Sequence, residues 1–575
     1  MKRILSENQR TTTFRLWGSI SKNKLVISFI FAITAISFFL RLYQLGNVPN
    51  GLSADEADMA YNAFSILKTG KDVYGRHLPI FFQSLDGFVP GFGIYASIPT
   101  IYIFGLNDFA IRLLPAAIGA LTPLLMYFLA KILYPKKKYL PIICAILTTF
   151  APWNIAISRA LWLYIELIFF YILFLIIFLL GIQKNFKLII LSALVLVLTQ
   201  YIYLAAILYL PLIVITVTII YRKNFSKNLK ISLLALSLLI ILSLPSIVYY
   251  LNQSSRGRLN SISIFQNDVT LPISISEKQQ DIKNNDNFSA LLHNRRLVYL
   301  IDSVENYFKY INFSALFVNS SGIRLFYVNY VGLFYLIELP FFLFGFLYLI
   351  NDIRKEHNLL VASLFLIGPI PAIFILGATF FHRSILFLLA IQIISAVGIN
   401  NFYEQIKKTK VKYWLHIVIF LVLVYMSSIY FFLHQYFIHS PNEFTSEDDN
   451  GAWFSTVKNA IPIVNENKTK YEKIVFTWSK SKLIPPVYFL FYNKVDPSVM
   501  QKKASGWTNE PPSYKQIYNQ IDNIEFRSIN WLQDKNLKSA LFIGYPSDFP
   551  EDVKNVVAKT YLPNGEVHFL VVKNP

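Results

Sequence analysis

The sequence lacks most of what marks a soluble enzyme or a secreted disulfide-bonded domain. It has one cysteine in 575 residues, Cys144, placed inside an apolar run, so disulfides and thiolate metal sites within the chain are excluded. Charged residues make up only 15% of the chain, where a soluble domain carries about a quarter. With 55% hydrophobic residues, that scarcity excludes intrinsic disorder and an ordinary cytosolic enzyme. Acidic residues are scarcer than basic ones, 33 against 53, giving a formal charge of +20. In a soluble protein that excess would point to nucleic acid; in a polytopic membrane protein it reflects retention of cytoplasmic loops, and no nucleic-acid partner is expected. There is no internal repeat of fixed period and no extended low-complexity segment.

What the sequence does have is long apolar runs. The first, from Leu25 to about Phe39, follows Lys2, Arg3, Arg10, Arg15, Lys22 and Lys24. It lacks a small-residue cleavage site and is followed by Arg41, so it reads as an uncleaved transmembrane helix. Further runs lie at 111–134, 139–157, 163–182, 188–203, 204–221, 231–250, 329–350, 358–377, 384–399 and 413–436. Together they predict a polytopic α-helical membrane protein of about eleven spans. The apolar stretch 90–105, broken by Pro90, Gly91, Gly93 and Pro99, reads as a helix lying in the membrane interface.

Basic residues orient these spans. With a cytoplasmic N-terminus (1–24), the inner loops hold Lys136–Lys138, Lys184 with Lys187, Arg222 through Lys230, Arg354 with Lys355, and Lys407 through Lys412, whereas the short outer loops hold Arg159 and Arg383. The transmembrane domain then covers 25–436, with extracytoplasmic loops 44–110 and 251–328. Residues 437–575 form a small extracytoplasmic α/β domain: helix Trp453–Val464, strand Lys473–Trp478, helix Pro486–Asn493, strand Ala540–Tyr545, and a hairpin of Val557–Leu562 and Val567–Val572 around Pro563-Asn564-Gly565. This domain has no phosphate-cradling glycine loop.

The chemistry-bearing segment follows the first span. From Ala54 an amphipathic helix puts Met59, Ala60, Ala63, Phe64, Ile66 and Leu67 on one side and Asp55, Asp58 and Asn62 on the other. Ser53 and Glu56 match an S-x-x-E capping box, and Asp55 suits the positive end of the helix. A carboxylate in the first turn of an interfacial helix is also well placed for acid–base work at a membrane surface.

The succession of a first span, this Asp-Glu helix, a proline-containing interfacial stretch and Phe104-Gly105-Leu106-Asn107-Asp108-Phe109-Ala110-Ile111-Arg112-Leu113 resembles the C-type (GT-C) glycosyltransferases. The nearest branch is that of the protein O-mannosyltransferases and the aminoarabinose transferases. Ala151-Pro152-Trp153-Asn154, Ser158-Arg159-Ala160 and Phe381-His382-Arg383-Ser384 extend the likeness. The resemblance implies inverting transfer of a sugar from a polyprenyl-phosphate carrier to a protein or glycolipid hydroxyl on the outer face. It implies Asp55 as general base, with Glu56 positioning the acceptor or orienting Asp55. Arg383 and His382, with Arg159 and Arg112 behind them, are the candidates for the carrier phosphate. Asp58, Asn62, Asp86 and Glu166 are secondary or acceptor-side candidates.

Bland roles stand beside these. Arg159 and Arg383 can snorkel to headgroups or cap helix ends, and Arg112 is expected to pair with Asp108 four residues before it. Glu338, beside Pro340 in a span, is expected to hydrogen-bond within the bundle. Many relatives carry Lys-Pro-Pro in the first outer loop, whereas this chain has Val89-Pro90-Gly91. That departure keeps two other readings open: a lipid-linked-saccharide transporter, and a non-catalytic member that binds carrier lipid. No metal-ligand cluster stands out, although Asp55 with Glu56 is a carboxylate pair of the kind that recruits a divalent ion.

Overall fold

The computed structural model describes residues 24–85, 87–251, 263–266, 270–286, 288–320, 328–374, 381–408, 413–443, 453–479, 483–505 and 513–574. Asp86, one of the acceptor-side candidates, lies outside the described residues.

The chain is a polytopic helical membrane protein. Among the described residues, seven helices are long and apolar enough to cross a bilayer: Lys24–Leu42, Asp108–Leu133, Tyr164–Gln183, Leu229–Leu251, Glu356–Ile373, Ile385–Lys408 and Trp414–Asn442. Shorter apolar helices are Phe92–Phe104, Leu140–Phe150, Leu188–Tyr201, Ala206–Ile220 and Glu338–Asn351. Every expected run contains one of these helices, and the stretch 90–105 holds the separate helix Phe92–Phe104.

Several expected spans come out shorter or broken, each for a local reason. The run 139–157 divides at Ala151 into Leu140–Phe150 and Pro152–Ile157, because Pro152 has no N–H to continue the first helix. The run 358–377 breaks after Ile367, because Pro369 and Pro371 have no N–H to continue the helix, and a short turn of helix, Ile370–Ile373, follows. Residues 329–337 are not helical: Phe334 N–H bonds Leu316 O (2.8 Å) and Gly332 presses on the Phe317 backbone. The helix therefore starts at Glu338, which places that residue in its first turn and corrects the mid-span position expected for it.

Helix Ile385–Lys408 is the centre of the bundle, and most of its residues are buried. It packs against Glu338–Asn351, Glu356–Ile367 and Leu140–Phe150. Gly345 and Gly398 sit where Glu338–Asn351 and Ile385–Lys408 touch, and a Cβ on either would run into the other helix's backbone. Small residues let membrane helices approach this closely, which substitutes for the missing hydrophobic drive between them.

The C-terminal domain carries a six-stranded sheet. Its strands are β3 (Lys473–Phe476), β4 (Gln520–Ile521), β5 (Ile524–Phe526), β6 (Ala540–Gly544), β7 (Val556–Tyr561) and β8 (Val567–Asn574), numbered after the hairpin β1 (Phe81–Ser84) and β2 (Gly87–Pro90). Their order is β4-β5-β3-β6-β8-β7, with β3 parallel to β5 and β6 and the other pairs antiparallel. Alternation divides the sheet's core: Ile474, Phe476 and Ile543 join the layer continuous with the rest of the protein, and Val475, Phe542 and Val572 face the other side. Strands β4 and β5 and the helices Pro497–Ser505 and Tyr514–Tyr518 were not expected from the sequence; they are too short to carry a clear periodicity.

This domain docks on the first loop. Helices Pro485–Tyr492 and Pro497–Ser505 pack on helix Ala54–Thr69. Tyr488 Oη donates to Leu52 O (3.2 Å), Phe454 N–H to Leu52 O (3.1 Å) and Tyr61 Oη to Val495 O (3.0 Å). Gly51, at φ +81°, passes so close that a Cβ there would lie 2.5 Å from Ser455 N. The Asp55 helix, amphipathic in sequence, is therefore covered on both faces, and Asp58, Tyr61 and Asn62 are as buried as Met59 and Ala63.

Candidate active site

Helix Ala54–Thr69 begins as its sequence requires. Ser53 Oγ accepts from Glu56 N–H (3.2 Å), and Glu56 Oε2 accepts from Ser53 N–H (3.1 Å), a complete capping box. Glu56 does more than cap. Its Oε1 accepts from Arg112 Nε (3.2 Å) and from Leu161 N–H (3.0 Å), and both partners of the Arg112–Glu56 pair have fully buried side chains. Arg112 also donates to Pro49 O (2.8 Å) and to Gly51 O. Arg112 thus holds the loop before the helix in place, and the expected Arg112–Asp108 pair is corrected. Asp108 instead meets Lys458 Nζ of the C-terminal domain at 2.7 Å.

With both Glu56 oxygens occupied, Asp55 is the acidic residue of the first turn that faces outward: it is exposed while Glu56 is fully buried. The two carboxylates are not presented together: Glu56 is turned into the protein and Asp55 away from it. Among the described residues no group of three His, Cys, Asp or Glu side chains is arranged to hold a metal ion.

Asp55 and Arg383 both act electrostatically on the Tyr164 phenol, so three elements distant in sequence converge there. Tyr164 opens helix Tyr164–Gln183 and meets Tyr203 edge-on, ring centroids 5.1 Å apart. Arg383 lies at the end of the turn Phe381–Arg383, and Tyr209 Oη fixes that turn by donating to Arg383 O (2.8 Å) and to Gly368 O. His382 is the neighbouring residue of the same turn. Two helical turns beyond Tyr164, an apolar crevice opens between four helices, lined by Tyr171, Phe174, Ile213, Val217, Leu364 and Leu386.

Other sequence candidates take scaffold positions. Arg159 is fully buried and donates to Leu40 O (3.1 Å), Arg41 O (2.7 Å), Tyr43 O (2.7 Å) and Val48 O (2.8 Å). It closes the carbonyl end of helix Lys24–Leu42, a favourable place for a cation. Both terminal nitrogens of its guanidinium are thus engaged by backbone carbonyls, while Nε has no hydrogen-bond partner among the described residues. Asp58 Oδ2 accepts from Ser84 Oγ (2.6 Å), and Asn62 bonds Asp58 O and Val73 N–H, so this pair ties hairpin β1–β2 and loop 70–80 to the helix. Glu166 is fully buried, and its two oxygens have no hydrogen-bond partner among the described residues. Val89 lies in β2; the nearby cation Arg76 sits 5.4 Å over the Phe88 ring and is bound to Asp72.

The sequence reading missed Tyr164 and Trp453. Trp453 stacks on Trp162 (4.6 Å, 22°) and lies under the Arg112 guanidinium at 5.2 Å, and Trp162 Nε1 donates to Ser53 Oγ (3.0 Å). A tyrosine at the edge of an apolar run is a signal shared by every interfacial aromatic residue, and the Trp162–Trp453 contact joins segments far apart in the chain.

No family model and no curated protein matches the sequence. Solved structures do match. The chain aligns over 97% of its length with 75% of an oligosaccharyltransferase from Archaeoglobus fulgidus tethered to an acceptor peptide, at 12% identity and a TM-score of 0.52. It aligns over 96% of its length with 98% of ArnT from Cupriavidus metallidurans, at 12% identity and a TM-score of 0.50. The chain has the C-type glycosyltransferase fold. Against the apo form of the archaeal oligosaccharyltransferase it covers 64% of that protein's length, at 13% identity and a TM-score of 0.50. ArnT from Cupriavidus metallidurans has also been solved bound to undecaprenyl phosphate, with the same scores against this chain.

Proposed function

We propose that this chain is a membrane glycosyltransferase that moves a sugar from a polyprenyl-phosphate carrier to an acceptor hydroxyl of a protein or glycolipid, with inversion at the anomeric carbon. The observation that carries the reading is an outward-facing carboxylate, Asp55, projecting from a helix start fixed by the buried Arg112–Glu56 pair within a C-type glycosyltransferase fold, with Arg383 as the candidate cation for the carrier phosphate. A neighbour of the same fold has been solved with undecaprenyl phosphate bound. The N-terminus is assigned to the cytoplasmic face and the site to the opposite face, where nucleotide sugars are absent and a donor must arrive in the membrane.

In this mechanism Asp55 takes the proton of the acceptor hydroxyl as its oxygen attacks the anomeric carbon. The bond from that carbon to the phosphate oxygen breaks, and the electron pair leaves with the polyprenyl phosphate. Arg383 offsets the charge gained by the leaving group, its planar fork matching two phosphate oxygens, with His382 beside it. Glu56 acts through structure, holding the helix start from which Asp55 projects.

The test is transfer from a polyprenyl-phosphate sugar in proteoliposomes. Asp55→Asn is expected to abolish turnover while the protein keeps its melting temperature; unchanged turnover would remove Asp55 as the base. Val89, in the place of the relatives' lysine, favours one further reading, a member that binds carrier lipid without releasing sugar. Carrier binding with no sugar release by the wild-type protein would support that reading.

A further inference from the structure

The extracytoplasmic loop expected at 251–328 contains a helix whose polarity is reversed. In Arg295–Lys309 the side turned to the protein carries Asp302 and Asn306, 8% and 9% exposed. The side turned outward carries Leu300, Ile301, Val304 and Phe308, between 48% and 63% exposed. These four lie on one stripe of a 3.6-residue helix. A helix with water on its outer side places its residues the other way round.

The helix is also held at a definite level. Tyr307 Oη donates to Leu366 O (3.1 Å), at the last turn of the apolar helix Glu356–Ile367, and Asn306 Nδ2 to Ile373 O (3.0 Å). It therefore lies across the end of a span. Its first turn exposes Arg295 and Arg296, where the helix dipole disfavours cations unless an anion is near, whereas Lys309 is already paired with Glu305 at 2.8 Å. Beyond its end, Tyr310 packs edge-on against Phe381 (5.4 Å), two residues before Arg383.

We propose that helix Arg295–Lys309 is seated in the membrane surface, with Leu300, Ile301, Val304 and Phe308 among the acyl chains and Arg295 and Arg296 at lipid phosphates. An amphipathic helix with its apolar stripe immersed and its basic residues at the headgroups has the chemistry of an interfacial anchor. The partner is the bilayer itself, and the inference does not depend on the transfer reaction.

The sole cysteine, Cys144, is buried, so full-length Cys144→Ala accepts single spin labels at positions 300, 304 and 308. Phe420, exposed in helix Trp414–His434, gives the lipid reference, and Leu532 of the C-terminal domain, 78% exposed, the water reference. In proteoliposomes the three labels are expected to match position 420, colliding several-fold more with oxygen than with a water-soluble nickel chelate. Collision behaviour like that of position 532 would overturn the proposal. So would protection from both reagents, which would mean that protein covers the stripe. In a second arm, anionic vesicles are expected to deepen the label at 304 relative to zwitterionic ones, an effect lost in Arg295→Gln with Arg296→Gln; an equal depth in both vesicles would remove the headgroup contact.

Discussion

Arg112 and Glu56 form an ion pair with no solvent access, Nε to Oε1 at 3.2 Å, and this pair decides which of two adjacent carboxylates is left outward. Glu56 closes the capping box, accepts from Leu161 N–H and neutralises Arg112. One residue earlier, Asp55 projects from the same turn and is exposed. Removing one member of a buried pair strands the other charge. Glu56→Ala is therefore expected to destabilise the protein by about 3–5 kcal/mol, read as a lowered unfolding midpoint in detergent, with activity lost together with the fold. Asp55→Asn should leave that midpoint in place.

The proposed role of Arg383 predicts a particular kinetic pattern. Replacing one preorganised charge-stabilising group costs about a hundredfold or more in turnover. Arg383→Ala is expected to lower kcat/KM for the polyprenyl-phosphate sugar by about that factor, and Arg383→Lys to recover part of it, because a lysine keeps the charge and loses the fork. Equal kinetics for wild type and Arg383→Ala would exclude contact with the leaving phosphate.

Gly51 is where the C-terminal domain meets the first loop. A side chain there faces both a left-handed backbone at φ +81° and a Cβ placed 2.5 Å from Ser455 N. Gly51→Ala should cost more than about 1 kcal/mol and speed amide exchange in both Ala54–Thr69 and Pro485–Tyr492. Lys458→Ala removes a half-exposed partner of Asp108 and should cost less than about 1 kcal/mol.

The C-terminal domain has its own acid sensitivity. Burial alone would raise Asp534, but the Arg527 fork, with NH1 and NH2 at 2.9 and 2.8 Å from its two oxygens, holds it below the usual carboxylate range. Glu525 is likewise depressed against its burial by Lys473 and Arg527. A depressed folded-state value contributes stability that is complete above the unfolded value and lost as pH falls through the folded one. Amide exchange in β3 and β6, corrected for intrinsic rate, should therefore accelerate below about pH 4. Arg527→Gln should remove much of that pH dependence.

The membrane class, the positions of the apolar helices and the capping of the Asp55 helix were all legible along the chain, because hydropathy over a span and an S-x-x-E start are local patterns. The roles of the arginines were not. Arg112, Arg159 and Arg383 all stand at the ends of apolar runs, and a window of sequence cannot tell a buried guanidinium from one that faces a ligand. Folding brought Glu56 to Arg112, gave Arg159 the carbonyls of Leu40 through Val48, and placed Arg383 near Tyr164. Each of these contacts joins residues far apart in sequence, where no periodicity reaches. The reversed helix Arg295–Lys309 shows the same division. Its amphipathic pattern is written in the residues, but which face meets protein and which meets lipid depends on the end of a span more than fifty positions away, to which Tyr307 and Asn306 bond.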